Sequence, residues 1–489
     1  MTIRKRLLIC CLAALAIAQP ATAQDNVERL IAAMLGDTPL IDDLHELTDT
    51  IGGRVTGSDA NRKAVAWALT KLRQAEVNAS AEDFEMPYQW QENIVAANVS
   101  GDVNFEASVV AKPFSTAANA LEAPLVDGGM GADADFERLG DAANGAWVMI
   151  ATPILDDEIG LAGLFAEYGD AAAIEPRAFA AGVAGVIFMS SRPKNLIYRH
   201  IASAGGKNEH PLLVMEREHA QRALRLIRSG HKLSVTATIG VESGYSYTAT
   251  NVIAEIPGSS RPEEIVLFGS HLDSHDLGTG ALDNGVNIAM LINIARQITR
   301  LGLQPQRTIR FVLWNGEEQG LIGSMKYTEQ HEDELDRHVV AASLDIGSGR
   351  TGGFFTGGRS ELIPMLDRYL VPVAGLGPFQ HVDVPITGTD HFDFMIEGVP
   401  TIVGAQSDAN YASNYHAESD TFDKVDQQQV RLNSAVTAAV IWGFANDTER
   451  LPRYTHDEIQ ALIDNTDLGQ QMQNFGYWDA WEEGTRGRH

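Results

Sequence analysis

The strongest constraint on this chain is a repeated strand, loop, helix pattern between residues 248 and 447. Residues 264–269 read as an apolar strand, and residues 284–301 as a long, largely apolar helix. Residues 308–314, 338–344 and 400–404 read as further strands. Strands alternating with helices build a mostly parallel sheet covered on both faces. The expected fold class is therefore α/β, with a mostly parallel central sheet flanked by helices.

The rest of the chain has a different texture. Residues 25–78 show helical periodicity, with Val27, Leu30, Ile31 and Met34 on one face. Residues 80–115 alternate more like strands. Residues 116–245 are rich in Ala and Gly and carry short apolar runs at 146–150 and 183–188, which suggests a small α/β or β-rich insert. The expected division is 24–115 and 246–447 for the main domain, 116–245 for the insert and 448–489 for a polar, partly helical tail. That tail carries Phe475, Tyr477, Trp478 and Trp481.

Residues 1–23 read as a secretory signal. Arg4, Lys5 and Arg6 precede a short apolar run, and Ala21-Thr22-Ala23 is an A-x-A-like cleavage site. Export to the periplasm or the medium is expected, with a mature start at Gln24. Both cysteines, Cys10 and Cys11, lie in this segment. A metal site in the mature chain must then be built from His, Asp and Glu rather than thiolates. The net charge of −28 repels phosphate backbones and argues against nucleic acid as a partner. Beyond the first two dozen residues, no apolar run is long enough to span a bilayer.

Polar residues fall where the strands end. His271 and Asp273 follow one strand, Glu317 and Glu318 another, and Asp345 closes a third. Ligands of open parallel sheets bind at the carboxyl ends of the strands. Asp283 precedes the apolar helix, and His416 lies in a later loop. Singly, each residue has a plainer reading. An adjacent Glu pair is usually solvated, Asp283-Asn284-Gly285 resembles a turn or helix cap, and a lone His is more often structural. Together they match the needs of a two-metal site. Two nearby dications repel, so a carboxylate must bridge them, and Asp283 is the candidate. His271 and Asp345 would hold one ion, and Glu318 and His416 the other, as imidazole and carboxylate suit zinc. Glu317 is the expected general base, and Asp273 the group expected to orient His271.

These stretches resemble the M28 family of zinc peptidases, in particular its carboxypeptidase Q-like branch. The matching segments are 269–274, 280–283, 312–320, 343–345, and His416 with Asp420-Thr421. Segments 51–58 and 388–390 are also similar. The resemblance implies a phosphorylase/hydrolase-like sheet and two zinc ions per chain. It also implies a protease-associated (PA) insert at 116–245, a peptide substrate and a homodimer to which the aromatic tail could contribute. The expected activity is that of an aminopeptidase or dipeptidase. The alternatives are a carboxypeptidase, a single-zinc glutaminyl-cyclase-like transferase or a non-catalytic receptor-like protein. Tyr415 reads equally as an oxyanion donor or a packed aromatic. Asp390 and His391 are candidate substrate contacts. His275 and His381 read as surface or packing residues.

Overall fold

The computed structural model describes residues 23–158, 160–200, 209–407 and 409–489. The expected signal lies almost wholly outside the described residues. Among those described, no helix is long and apolar enough to cross a membrane.

Two sheets organise the chain. The first has seven strands, in the order Asn78–Met86, Tyr247–Ile256, Arg307–Trp314, Arg261–His271, His338–Ser343, Thr401–Gln406 and Thr351–Phe355. Its four central members, from Arg307–Trp314 to Thr401–Gln406, are mutually parallel, and the outer three pair antiparallel. Strand Arg307–Trp314 is buried along its whole length, and its two arginines, Arg307 and Arg310, are paired with Glu264 and Glu255.

Helices Val286–Arg300 and Gln427–Asn446 and the N-terminal helix Ala23–Met34 contribute to the core around this sheet. Helix Val286–Arg300 is buried on nearly every side, and each buried Ile or Leu contributes about 1.5–3 kcal/mol. The expected α/β class with a mostly parallel centre is the class observed.

The second sheet has eight strands. It includes Trp90–Gly101, Phe105–Ala107 and Val109–Ala111 as well as the strands from Ala118–Asp127 to Leu233–Ser243. The expected boundary at 115/116 is therefore corrected. Trp90–Gly101 pairs along its length with Leu233–Ser243, so the second sheet begins near residue 90. Its polar alternation fits either sheet, and only the pairing partner decides.

The C-terminal segment is not a loose tail. Thr455 and Glu458 form a capping box that starts helix His456–Asn465. Helices Leu468–Phe475 and Trp478–Glu482 follow. Ile459, Ile463, Met472, Tyr477 and Trp481 bury against Phe392, Met395 and Ile396. Tyr477 and Trp481, two of the aromatics of the tail that could contribute to a dimer, are buried within the chain.

Candidate metal centre and active site

Six side chains converge beyond the carboxyl ends of the parallel strands. His271, Asp283 and Asp345 form one group, and His275, Glu318 and His416 a second. The backbone of the neighbouring loops explains the convergence. Residues 280–285 leave helical geometry at Asp283 and Asn284, where the peptide bond is cis. The Asp420 carboxylate accepts from the amides of Ala281, Leu282 and Asp283 at 3.1, 2.6 and 3.1 Å. The fully buried Arg54 donates to the carbonyls of Leu272, Thr279 and Gly280 at 2.5, 2.9 and 3.0 Å. Burial lowers that guanidinium to about 10, and Asp420, Asp273 and Asp283 oppose the shift.

Asp283 stands between the two groups. Its Oδ1 is 3.1 Å from His271 Nε2, and its Oδ2 is 3.3 Å from His416 Nε2. His271 Nε2 is also 3.3 Å from Asp345 Oδ1. On the far side, Glu318 Oε2 lies 3.2 Å from His416 Nε2 and 2.9 Å from His275 Nε2. Asp283 Oδ2, Glu318 Oε1 and His275 Nε2 are buried without a hydrogen-bond partner. Such orphans carry a cost of about 1–3 kcal/mol each unless something satisfies them. A cation among them would do so, and the donor set of imidazole and carboxylate suits zinc.

The outer ring nitrogens are also held. His271 Nδ1 is 3.1 Å from the Asp273 carbonyl, and His416 Nδ1 is 3.2 Å from the Arg199 carbonyl. A carbonyl can only accept, so each Nδ1 carries a proton, and Nε2 is the nitrogen left to face a cation in the cluster.

Asp273 faces the outer nitrogen of His271: its carbonyl is 3.1 Å and its carboxylate Oδ1 3.7 Å from Nδ1. The other carboxylate oxygen accepts from the Thr56 hydroxyl at 2.8 Å and the Gly316 amide at 3.1 Å. Gly316 has φ +79°, and a Cβ there would meet Met86 Sδ at 2.9 Å. This glycine turn delivers Glu317 and Glu318 into the site.

Residues 251–441 match the sequence profile described as "Peptidase family M28". The chain is 28% identical over 421 residues to carboxypeptidase Q of Mus musculus, covering 83% of this chain and 86% of that protein. Its structure superposes on a Peptidase M28 precursor from Shewanella amazonensis with TM-score 0.80 and 27% identity, covering 88% of this chain and all of the other. Residues 251–441 form a domain of peptidase family M28. A zinc aminopeptidase from Bacillus subtilis shares the fold at TM-score 0.66 and 19% identity, over 84% of this chain and 96% of that one.

In this M28 peptidase, burial pushes the Glu317 carboxyl well above the usual range. His271 pulls against that shift, and Asp345, Glu318 and Asp390 add to it. Burial alone would raise Glu318 too, but His275 and His416 outweigh it and hold Glu318 well below its usual value. Adjacent carboxylates with opposed shifts suit different roles.

Sequence reasoning missed the hold that the second sheet has on His416. That residue sits in the left-handed region at φ 56°, which a non-glycine residue keeps only when its surroundings enforce it. Tyr198 bridges to Ala417, and the Arg199 amide donates to the His416 carbonyl at 2.9 Å. The guanidinium of Arg199 pairs with Asp276 and Glu92 at 2.6 and 2.8 Å. No spacing rule could reveal these contacts.

The remaining expected residues separate. Tyr415 stacks on His416, with ring centroids 3.6 Å apart, and its hydroxyl is 2.8 Å from that of Tyr168. Asp390 and His391 are both buried, at the start of helix His391–Ile396. His381 packs against Phe354, as its reading as a packing residue anticipates. His275 does not pack idly. Its expected surface or packing role is corrected, because it faces Glu318 and His416.

Proposed function

We propose that this M28 peptidase is an exported di-zinc exopeptidase that cleaves peptides or dipeptides next to a free terminus. The observation that carries the reading is Asp283, whose two oxygens face two different ligand groups. His271 and Asp345 would share Asp283 on one ion, and Glu318 and His416 would share it on the other. The related Bacillus subtilis protein, described as a zinc aminopeptidase, supports the choice of metal. When bound, the ions supply Lewis-acid polarisation of the scissile carbonyl and lower the pKa of water.

The chain's own residues do the rest. Glu317 takes the proton of the attacking water, holds it, and delivers it to the leaving amine. Burial of its carboxyl favours the protonated form that the second transfer needs. Asp273 and Thr56 hold the turn that carries Glu317. The buried Asp390, which acts electrostatically on Glu317, and His391 remain the proposed substrate contacts. A protease-associated insert and a homodimer belong to the proposal on resemblance alone.

Aminopeptidase or dipeptidase action is the primary reading. Carboxypeptidase action is the second, supported by the name of the carboxypeptidase Q relatives aligned over 83% of the chain. A zinc-reconstituted preparation offered peptides blocked at one end or the other separates them. Release that stops with an N-terminal block marks an aminopeptidase, and release that stops with a C-terminal block a carboxypeptidase. No turnover on either set, with two zinc ions measured per chain, defeats the exopeptidase reading. One zinc per chain points to the transferase alternative. An N-terminus at Gln24 in protein recovered outside the cytoplasm tests export.

A further inference from the structure

The five proposed ligands leave one side chain of the cluster without a task. His275 is 8% exposed, and its Nε2 has no hydrogen-bond partner. That nitrogen lies 2.9 Å from Glu318 Oε2 without the alignment of a hydrogen bond. The His275 and His416 ring centroids are 4.1 Å apart. Both imidazoles thus address the same carboxylate oxygen, His416 Nε2 from 3.2 Å. A small cavity touches all three side chains and Asp283.

We propose that His275 is a further metal ligand, so that the two ions of this peptidase are held unequally. The inference rests on the di-metal reading above. His275, His416, Glu318 and Asp283 would give one ion four protein donors, the number of a closed tetrahedral site. His271, Asp345 and Asp283 would give the other ion three, the number found where a position stays open for water or substrate. The first ion is then the retained one and the second the exchangeable one. The open position would then lie on the His271 and Asp345 side of the cluster. An uncharged aromatic at 275 would fill the space but leave both ions with three protein ligands each.

The test measures metal rather than turnover. The zinc-loaded full chain is dialysed against increasing chelator, and zinc per chain is counted by mass spectrometry. The expected wild-type curve falls in two steps, from two ions to one and then to none. In His275→Phe the second step moves to at least roughly tenfold lower chelator, the lower end of what losing even an outer partner of a metal ligand costs. A folded His275→Phe with the wild-type curve overturns the proposal. Should that variant fail to fold, a crystal structure of the zinc-loaded wild type decides. An ion about 2.0–2.1 Å from His275 Nε2 supports the assignment, and separation beyond about 3 Å, outside zinc–nitrogen bonding range, rejects it. A wild-type chain that binds no zinc under any loading condition defeats the di-metal reading itself, an outcome distinct from a failure at His275 alone.

Discussion

The two sheets of this peptidase are built alike and used differently. Both have three adjacent parallel pairings with antiparallel strands outside them. The seven-stranded sheet ends its parallel strands in His271, Asp345 and the Glu317-Glu318 turn. The eight-stranded sheet contributes no side chain to the six-residue cluster, yet main chain near it grips the loop carrying His416. One sheet supplies donors and the other holds a donor in place. Fold alone therefore does not say where chemistry sits.

Substitutions can break this division, and the largest effect belongs to the donor sheet. Glu317→Gln is expected to lower turnover by about 10²–10⁴-fold, with zinc content and melting temperature unchanged. Activity near wild type would remove Glu317 as the base.

The next effect is one of stability and belongs to the eight-stranded domain. Lys112 and Glu175 pair there, both fully buried. Lys112→Met leaves a buried carboxylate without that partner and is expected to cost about 3–5 kcal/mol, read by denaturant unfolding. If the chain unfolds as one cooperative unit, the metal site goes with it. If two transitions appear, the domains are energetically separable.

Arg199→Met sharpens the comparison further. It removes the charge that ties the 197–199 segment to Glu92 and Asp276. The expected result is a roughly 10–100-fold weaker hold on zinc, measured by chelator competition, although no proposed ligand is altered. Unchanged zinc retention would show that the His416 loop stands without the second domain.

The smallest effect is a pH dependence inside the donor sheet. Burial, helped by Arg310, depresses His338 to about 3. The unfolded chain protonates this group near its ordinary value of 6.5, so it binds more protons than the folded chain below that pH. Stability should fall as pH drops from 6.5 toward 3. His338→Gln should flatten that part of the curve, measured by unfolding at stepped pH.

Much of this was legible in the linear chain. Continuous apolar strands, one long buried helix and polar residues at strand ends follow from local pattern, and they brought five of the six clustered side chains into view. Asp283, Glu318 and Asp345 are short-range consequences of where a strand stops or a helix starts. His275 reads as a surface or packing residue because it lies between the matching segments 269–274 and 280–283, whereas His416, also a loop histidine, stands within one. The start of the second sheet was misplaced because an alternating strand suits either sheet.

What the sequence determined by itself was the order of elements and the types of donor, because hydrogen-bond periodicity and residue chemistry are local. Tertiary structure decided the rest: which nitrogen of each imidazole points inward, which carbonyl holds the other one, and that His275 faces Glu318. Those depend on distances between segments up to more than two hundred residues apart, such as Arg199 and His416. Only the packed chain sets such distances, because burial and main-chain pairing, not spacing along the chain, bring these groups within bonding range.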